Sequence, residues 1–161
     1  MQTRTFGRTA LELSLLTFGC GAVGGLMTKG ASSDQDRAVA WARDNGINHF
    51  DTAPSYGNTA SETNLGRALG PNRDNIFIST KVGVTEEYQS NLAGAIRTSL
   101  EASLMRLAQD HVDIFQLHNT LEDPSDQRGN LSADKVLEEI VPTFEKLRDE
   151  GKTRYIGFTA K

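Results

Sequence analysis

Short apolar runs alternate with helix-period segments along most of this chain, and that alternation restricts its possible folds more than any other feature. INHFDTA, IFISTKV, VDIFQLH and RYIGFTA read as strands, and LSLLTFGC (Leu13–Cys20) as an almost unbroken strand buried on both faces. Between them, apolar positions recur at helical spacing. Leu92, Ile96, Leu100, Leu104 and Leu107 form one stripe; Ala38, Val39, Trp41 and Ala42 form another, with Trp41 expected to pack on its own helix. Val136, Ile140, Phe144 and Leu147 form a third, in which Pro142 is expected to divide a short first turn from a main helix starting near Val141.

Local signals set the boundaries. Ser33 or Asp34 is expected to cap the first helix, which stops at Asn45-Gly46. Thr59 and Glu62 have capping-box spacing before a helix that ends at Gly70-Pro71. A polar loop runs from about Asn119 to Leu131, and Glu150-Gly151 closes the last helix. The opening TRTFGRTALELS reads as a small β-hairpin turning at Gly7-Arg8.

Strand alternating with helix predicts a parallel sheet with right-handed crossovers. Each strand–helix unit takes roughly 30 to 40 residues, near the share of one unit in a barrel of about 250 residues. The expected fold is α/β: the N-terminal half of a (β/α)8 TIM barrel, with five parallel strands and about four helices behind a β-hairpin. Residues 1–161 are expected to form one domain lacking its C-terminal half, with the fifth strand an uncovered edge. Open edges at the first and fifth strands predict self-association.

Composition excludes several classes. A net charge of −4 leaves no basic footprint for nucleic acid or an anionic membrane. No stretch approaches the roughly 20 apolar residues of a membrane span, and the N-terminus lacks a signal-like apolar core. Cys20 is the single cysteine, which forbids an internal disulfide and fits a reducing cytoplasm.

Gly19-Cys20-Gly21-Ala22-Val23-Gly24 matches the dinucleotide fingerprint G-x-G-x-x-G directly after a strand. That fingerprint works only where its last glycine opens a helix facing the pyrophosphate, and residues 25–32 intervene before a convincing cap. The alternative is a glycine-rich first loop that bends tightly and leaves room for a flat ligand.

Four ionisable side chains stand at successive strand ends: Asp51, Tyr56 in the loop beyond it, Lys81 and His118. In a parallel barrel those ends share one face. Reducing a carbonyl requires a hydride on carbon and a proton on oxygen. A phenol, with a pKa of about 10, is a weak acid at neutral pH, and a neighbouring cation stabilises its phenolate. Lys81 supplies a cation, Asp51 a group to hold it, and His118 a donor to orient a substrate oxygen. Taken singly, each has a plainer role: Asp51 an Asx turn near Pro54, Tyr56 a loop aromatic, Lys81 a snorkelling cation, His118 a satisfied core imidazole. His49 and His111 read as structural, and a lysine inside the set argues against a metal.

FDTAPSYGNTASETNLGRAL, ISTKVG, SLEASLMRLAQDHVDIFQLHN and GKTRYIGF, with the opening RTFGRTALELSLLTFGCGAVGG, resemble the aldo-keto reductase superfamily, especially its sugar-dehydrogenase-like branch. The resemblance covers essentially this whole chain and the N-terminal half of a family member. It implies that Tyr56 is the general acid–base, supported by Lys81, Asp51 and His118. It also implies NAD(P)H-dependent interconversion of carbonyl and alcohol groups in aldehydes, ketones or sugars, with NADP(H) favoured over NAD(H). Gly21, Ala22 and Val23 would flank the cofactor and Asp51 would lie beneath the nicotinamide. Thr159 takes the place of the serine in the family's Ser-Asn pair, and Ala160 that of the asparagine. Weak cofactor binding and negligible turnover are expected of these residues alone, since the family's phosphate and adenine contacts come from later strands. A catalytically inactive half-barrel, or a module that assembles with another half, is the competing expectation.

Overall fold

The computed structural model describes residues 1–71, 73–85, 88, 91–121 and 131–159. Strands β1 (Thr3–Thr5) and β2 (Glu12–Ser14) form an antiparallel hairpin, with Arg4 opposite Leu13. Gly7 takes a positive φ of 57° in its connection. Five further strands follow: β3 (Phe18–Gly19), β4 (His49–Asp51), β5 (Phe77–Val82), β6 (Val112–Leu117) and β7 (Thr153–Phe158). All pair in parallel in the order of the sequence, β3-β4-β5-β6-β7. Such an order never reverses, so there is no topological switch point of the doubly wound dinucleotide-binding kind. This is the N-terminal half of a (β/α)8 barrel.

Four long helices make the crossovers: α2 (Ser32–Asp44), α3 (Ala60–Leu69), α4 (Leu92–Leu107) and α6 (Val141–Asp149). Two single turns, α1 (Leu26–Lys29) and α5 (Ala133–Lys135), lie in the connections. The α4 stripe Leu92, Ile96, Leu100, Leu104 and Leu107 is buried as its spacing requires. It meets the outward-facing Phe50, Ile78, Phe115 and Leu117 in the main core. Pro142 sits in the first turn of α6, preceded by a π-helical stretch, Val136–Ile140. Proline cannot donate a backbone hydrogen bond, and the widened turn, with Val141 N–H reaching Val136 O, absorbs the mismatch.

Several local expectations are corrected. The run Leu13–Cys20 is not one strand: Leu13 belongs to the hairpin, Leu15 and Leu16 are 52% and 58% exposed, and only Phe18–Gly19 enters the main sheet. Ser14 makes the break, its Oγ donating to Leu16 O at 2.6 Å while Asn48 grips the hairpin through Ser14 N and Glu12 O. Helix α2 starts at Ser32 after Ala31, so neither Ser33 nor Asp34 caps it; Asn45 and Gly46, with φ 78°, do end it. Thr59 precedes α3 in a left-handed conformation that aims its hydroxyl away from capping, and Glu62 turns inward to Thr80 and Arg106 instead. Trp41 is 62% exposed rather than packed on its helix. Most of the loop expected over 119–131 lies outside the described residues.

A second apolar cluster joins the hairpin to the inner face of the sheet. Leu11 and Leu13 pack on Ile114, Phe77 and Tyr155, and the Tyr155 hydroxyl accepts from Ala10 N at 3.2 Å. Phe77 begins β5, so the hairpin plugs the end where the strands start and leaves the opposite rim open.

Candidate active site

Strand register delivers the site. Asp51 pairs with Ser79 and Lys81 with Gln116, and His118 N extends the ladder by donating to Val82 O at 2.8 Å. Thr159 N does the same to Leu117 O at 2.9 Å. Because side chains alternate along a strand, Asp51, Lys81, His118 and Thr159 reach the inner rim at the open end.

Lys81 is buried and held from two sides. Its Nζ donates to Asp51 Oδ2 at 2.7 Å and to Thr52 O at 2.8 Å. The same ammonium lies 4.8 Å from the centre of the Tyr56 ring. The His118 ring stands perpendicular to the Tyr56 ring, with centroids 6.0 Å apart. One ion pair and two ring contacts therefore bring Asp51, Tyr56, Lys81 and His118 together at one rim.

A tight turn holds Tyr56 over the lysine. Gly57, Asn58 and Thr59 all have positive φ, at 63°, 51° and 73°. Gly57 is pressed against α1: a Cβ there would lie 2.8 Å from Thr28 Cβ. Backbone strain of this kind persists only where surrounding contacts over-determine it, as at functional loops.

The first loop reaches the same place. A Cβ at Gly21 would rest 3.7 Å from Tyr56 Cε2, so glycine leaves that side of the phenol open. Ala22 and Val23 stand exposed next to it. An open ring face beside a bare loop leaves room for a flat ligand ring. Across the rim, His118, Asn119, Thr120 and Thr159 line a cleft of about 760 Å³ with Ser55, Asn58 and Tyr88. Ala160, expected at the position of a carboxamide contact, lies outside the described residues.

His49 and His111 are satisfied. His49 bridges Thr17 Oγ1 at 2.9 Å and Ser79 Oγ at 2.6 Å, and burial pushes its pKa below the usual histidine range. His111 pairs with Asp110 before β6, at the opposite end from His118. Cys20 is buried beside the site, and burial, reinforced by the Asp51 charge, pushes its thiol up to about 12. Among the described residues, no group of three or more His, Cys, Asp or Glu side chains is placed to hold a metal.

Sequence reasoning missed the supporting groups. Asn119 is buried and clasps Val84, its Oδ1 accepting from Val84 N and its Nδ2 donating to Val84 O, both at 2.8 Å. Ser61 and Thr52 are buried polar residues linked across the loops. Their only sequence signal is a polar residue where an apolar one is expected.

The described residues thus form half a barrel with a phenol beside a buried lysine at its rim. The profile of the Aldo/keto reductase family matches residues 15–161, and the chain belongs to that family. It is 37% identical over 162 residues to L-galactose dehydrogenase of Arabidopsis thaliana, covering 99% of this chain and 48% of that protein. The holo form of an aldo-keto reductase from Bacillus halodurans superposes with a TM-score of 0.78 at 29% identity, covering 99% of this chain and 50% of that one. An aldo-keto reductase from Klebsiella pneumoniae, solved with NADPH, gives 0.74 at 27% identity, covering 98% and 49%. The chain spans about half the length of the curated relatives it matches.

Proposed function

We propose that these residues form the acid–base half of an NADP(H)-dependent oxidoreductase interconverting carbonyl and alcohol groups in aldehydes, ketones or sugars. The observation that carries the reading is the Lys81 ammonium set between Asp51 Oδ2 and the Tyr56 ring. The nicotinamide, when bound, supplies or accepts the hydride. Tyr56 gives its hydroxyl proton to the carbonyl oxygen in reduction and takes it back in oxidation. Lys81 stabilises the phenolate left behind, Asp51 keeps Lys81 charged and aimed, and His118 donates to the substrate oxygen and orients it. Such assistance is typically worth about 10²–10⁴ in rate. Gly21, Ala22 and Val23 would flank the cofactor, with Asp51 beneath it and Thr159 facing it across the rim. The choice of NADP(H) over NAD(H) is supported by the Klebsiella relative solved with NADPH. A reducing cytoplasm suits both that cofactor and the buried free thiol of Cys20.

A second reading, a half-barrel module that pairs with another half or with itself, is favoured by the sheet edges. Among the described residues, β3 pairs only with β4 and β7 only with β6. Phe158 is exposed beside an apolar hollow lined by Ile140, Phe144 and Ile156. NADPH titration of the 161-residue polypeptide, followed by fluorescence, separates the two. Weak binding and self-association in size-exclusion chromatography are expected of these residues alone, while micromolar binding by a well-behaved monomer contradicts that expectation. For the native gene product, NADPH-dependent reduction of an aldehyde supports the first reading, and its absence rejects it.

A further inference from the structure

Ser61 occupies a junction that the proposed chemistry does not use. Its side chain is fully buried in the first turn of α3. Its hydroxyl donates to Cys20 O at 2.8 Å, on the residue immediately before Gly21. The same oxygen lies 2.8 Å from Thr52 Oγ1. Ser61 has one hydroxyl proton and Cys20 O takes it, so Thr52 must be the donor in the second bond. Thr52 O in turn accepts from Lys81 Nζ at 2.8 Å, and Ser61 N donates to Tyr56 O at 3.2 Å. One serine thus touches the first loop, the phenol turn and the residue whose carbonyl holds the lysine. These bonds run through a region sealed from water, where an unmet polar group is expensive.

We infer that Ser61 is a positioning residue that locks the first loop, the Tyr56 turn and the Lys81 ammonium into one frame. The inference rests on the reductase reading of the site and adds to it a coupling between the cofactor side and the proton side. Removing the Ser61 hydroxyl frees Cys20 O and the Thr52 hydroxyl together while leaving the Ser61 N to Tyr56 O bond, so the first loop and the Thr52 end of the phenol turn loosen at once. The phenol and the hydride donor then lose their mutual alignment, and misplacement on the scale of 1 Å costs up to about 100-fold in rate.

Two measurements on Ser61→Ala test it. The first needs no turnover: hydrogen exchange at the Cys20, Tyr56 and Thr59 amides, each hydrogen-bonded in the native protein. Exchange is expected to quicken roughly tenfold at all three together, as for local opening of one unit; acceleration at one loop alone overturns the inference. The second uses the native gene product. A fall in kcat of about 10- to 100-fold is expected, with a raised KM for NADPH and an altered pH profile of kcat/KM, and with recovery in Ser61→Thr. A variant that only melts earlier, with kcat, KM and pH profile unchanged, assigns Ser61 a packing role and overturns the inference. Should Ser61→Ala fail to fold, Thr52→Val deletes the partner hydroxyl at similar shape but keeps the Ser61 bond to Cys20 O, so exchange is expected to quicken at Tyr56 and Thr59 and not at Cys20; unchanged exchange at Tyr56 and Thr59 overturns the inference. Absence of NADPH-dependent reduction in the unaltered protein removes the reductase reading, and the exchange result still decides the coupling.

Discussion

Lys81 and Asp51 share a 2.7 Å ion pair whose two members differ sharply in their access to water: the lysine side chain is 5% exposed and the aspartate 28%. The buried cation therefore depends on its partner more than the partner depends on it. A buried charge deprived of its counter-ion is costly, because little solvent replaces the lost interaction.

Replacing Asp51 with asparagine keeps an amide oxygen beside that ammonium but removes its counter-charge. The expected loss is about 3 kcal/mol in urea unfolding, with Lys81→Met less damaging because the half-buried aspartate keeps part of its hydration. Equal losses from the two substitutions would contradict the asymmetry.

The Tyr56 turn is held by shape as well as by hydrogen bonds. Gly57→Ala must accept a positive φ and place a methyl 2.8 Å from Thr28 Cβ. Gly151, with φ 77° and open space around it, isolates the conformational part. Alanine at Gly151 should cost about 1–2 kcal/mol, and at Gly57 about 2–5 kcal/mol, since overpacking adds roughly 1–3. Thermal unfolding of both variants measures the difference.

Stability should decline at both ends of the pH scale, for separable reasons. His49 is held neutral by burial, so below the usual histidine range the unfolded chain binds a proton that the folded chain refuses, and stability falls with falling pH. Cys20 behaves oppositely. From about pH 9 the unfolded chain releases a thiol proton that the folded chain keeps to about 12, so stability falls with rising pH, by about 1.4 kcal/mol per unit for one group. Cys20→Ala should flatten the alkaline limb and His49→Gln the acid limb in denaturant titrations. A limb that survives its substitution belongs to other groups.

The rim was legible in sequence because strand ends of a parallel sheet share a face, whatever the details of each strand. Asp51, Lys81 and His118 needed only the correct period and the chain direction. The α4 stripe was legible for the same reason, since its five apolar positions repeat locally. What escaped was decided by residues distant in sequence. Glu62 has capping-box spacing, but Arg106 and Thr80 compete for it and win. Leu13 and Phe18 lie in one apolar run, yet Asn48 pins Ser14 and sends them to different sheets. Ser61 and Asn119 carry no local pattern at all, because their partners sit on other loops.

The proton-transfer role of Tyr56 is the central claim, and Tyr56→Phe tests it most directly. The measurement is steady-state NADPH oxidation with an aldehyde by the native gene product, beside NADPH binding by the same variant. A loss of about 10²–10⁴ in kcat with cofactor affinity and unfolding midpoint nearly unchanged is the expected result. A phenylalanine variant that turns over like the unaltered protein would contradict the account.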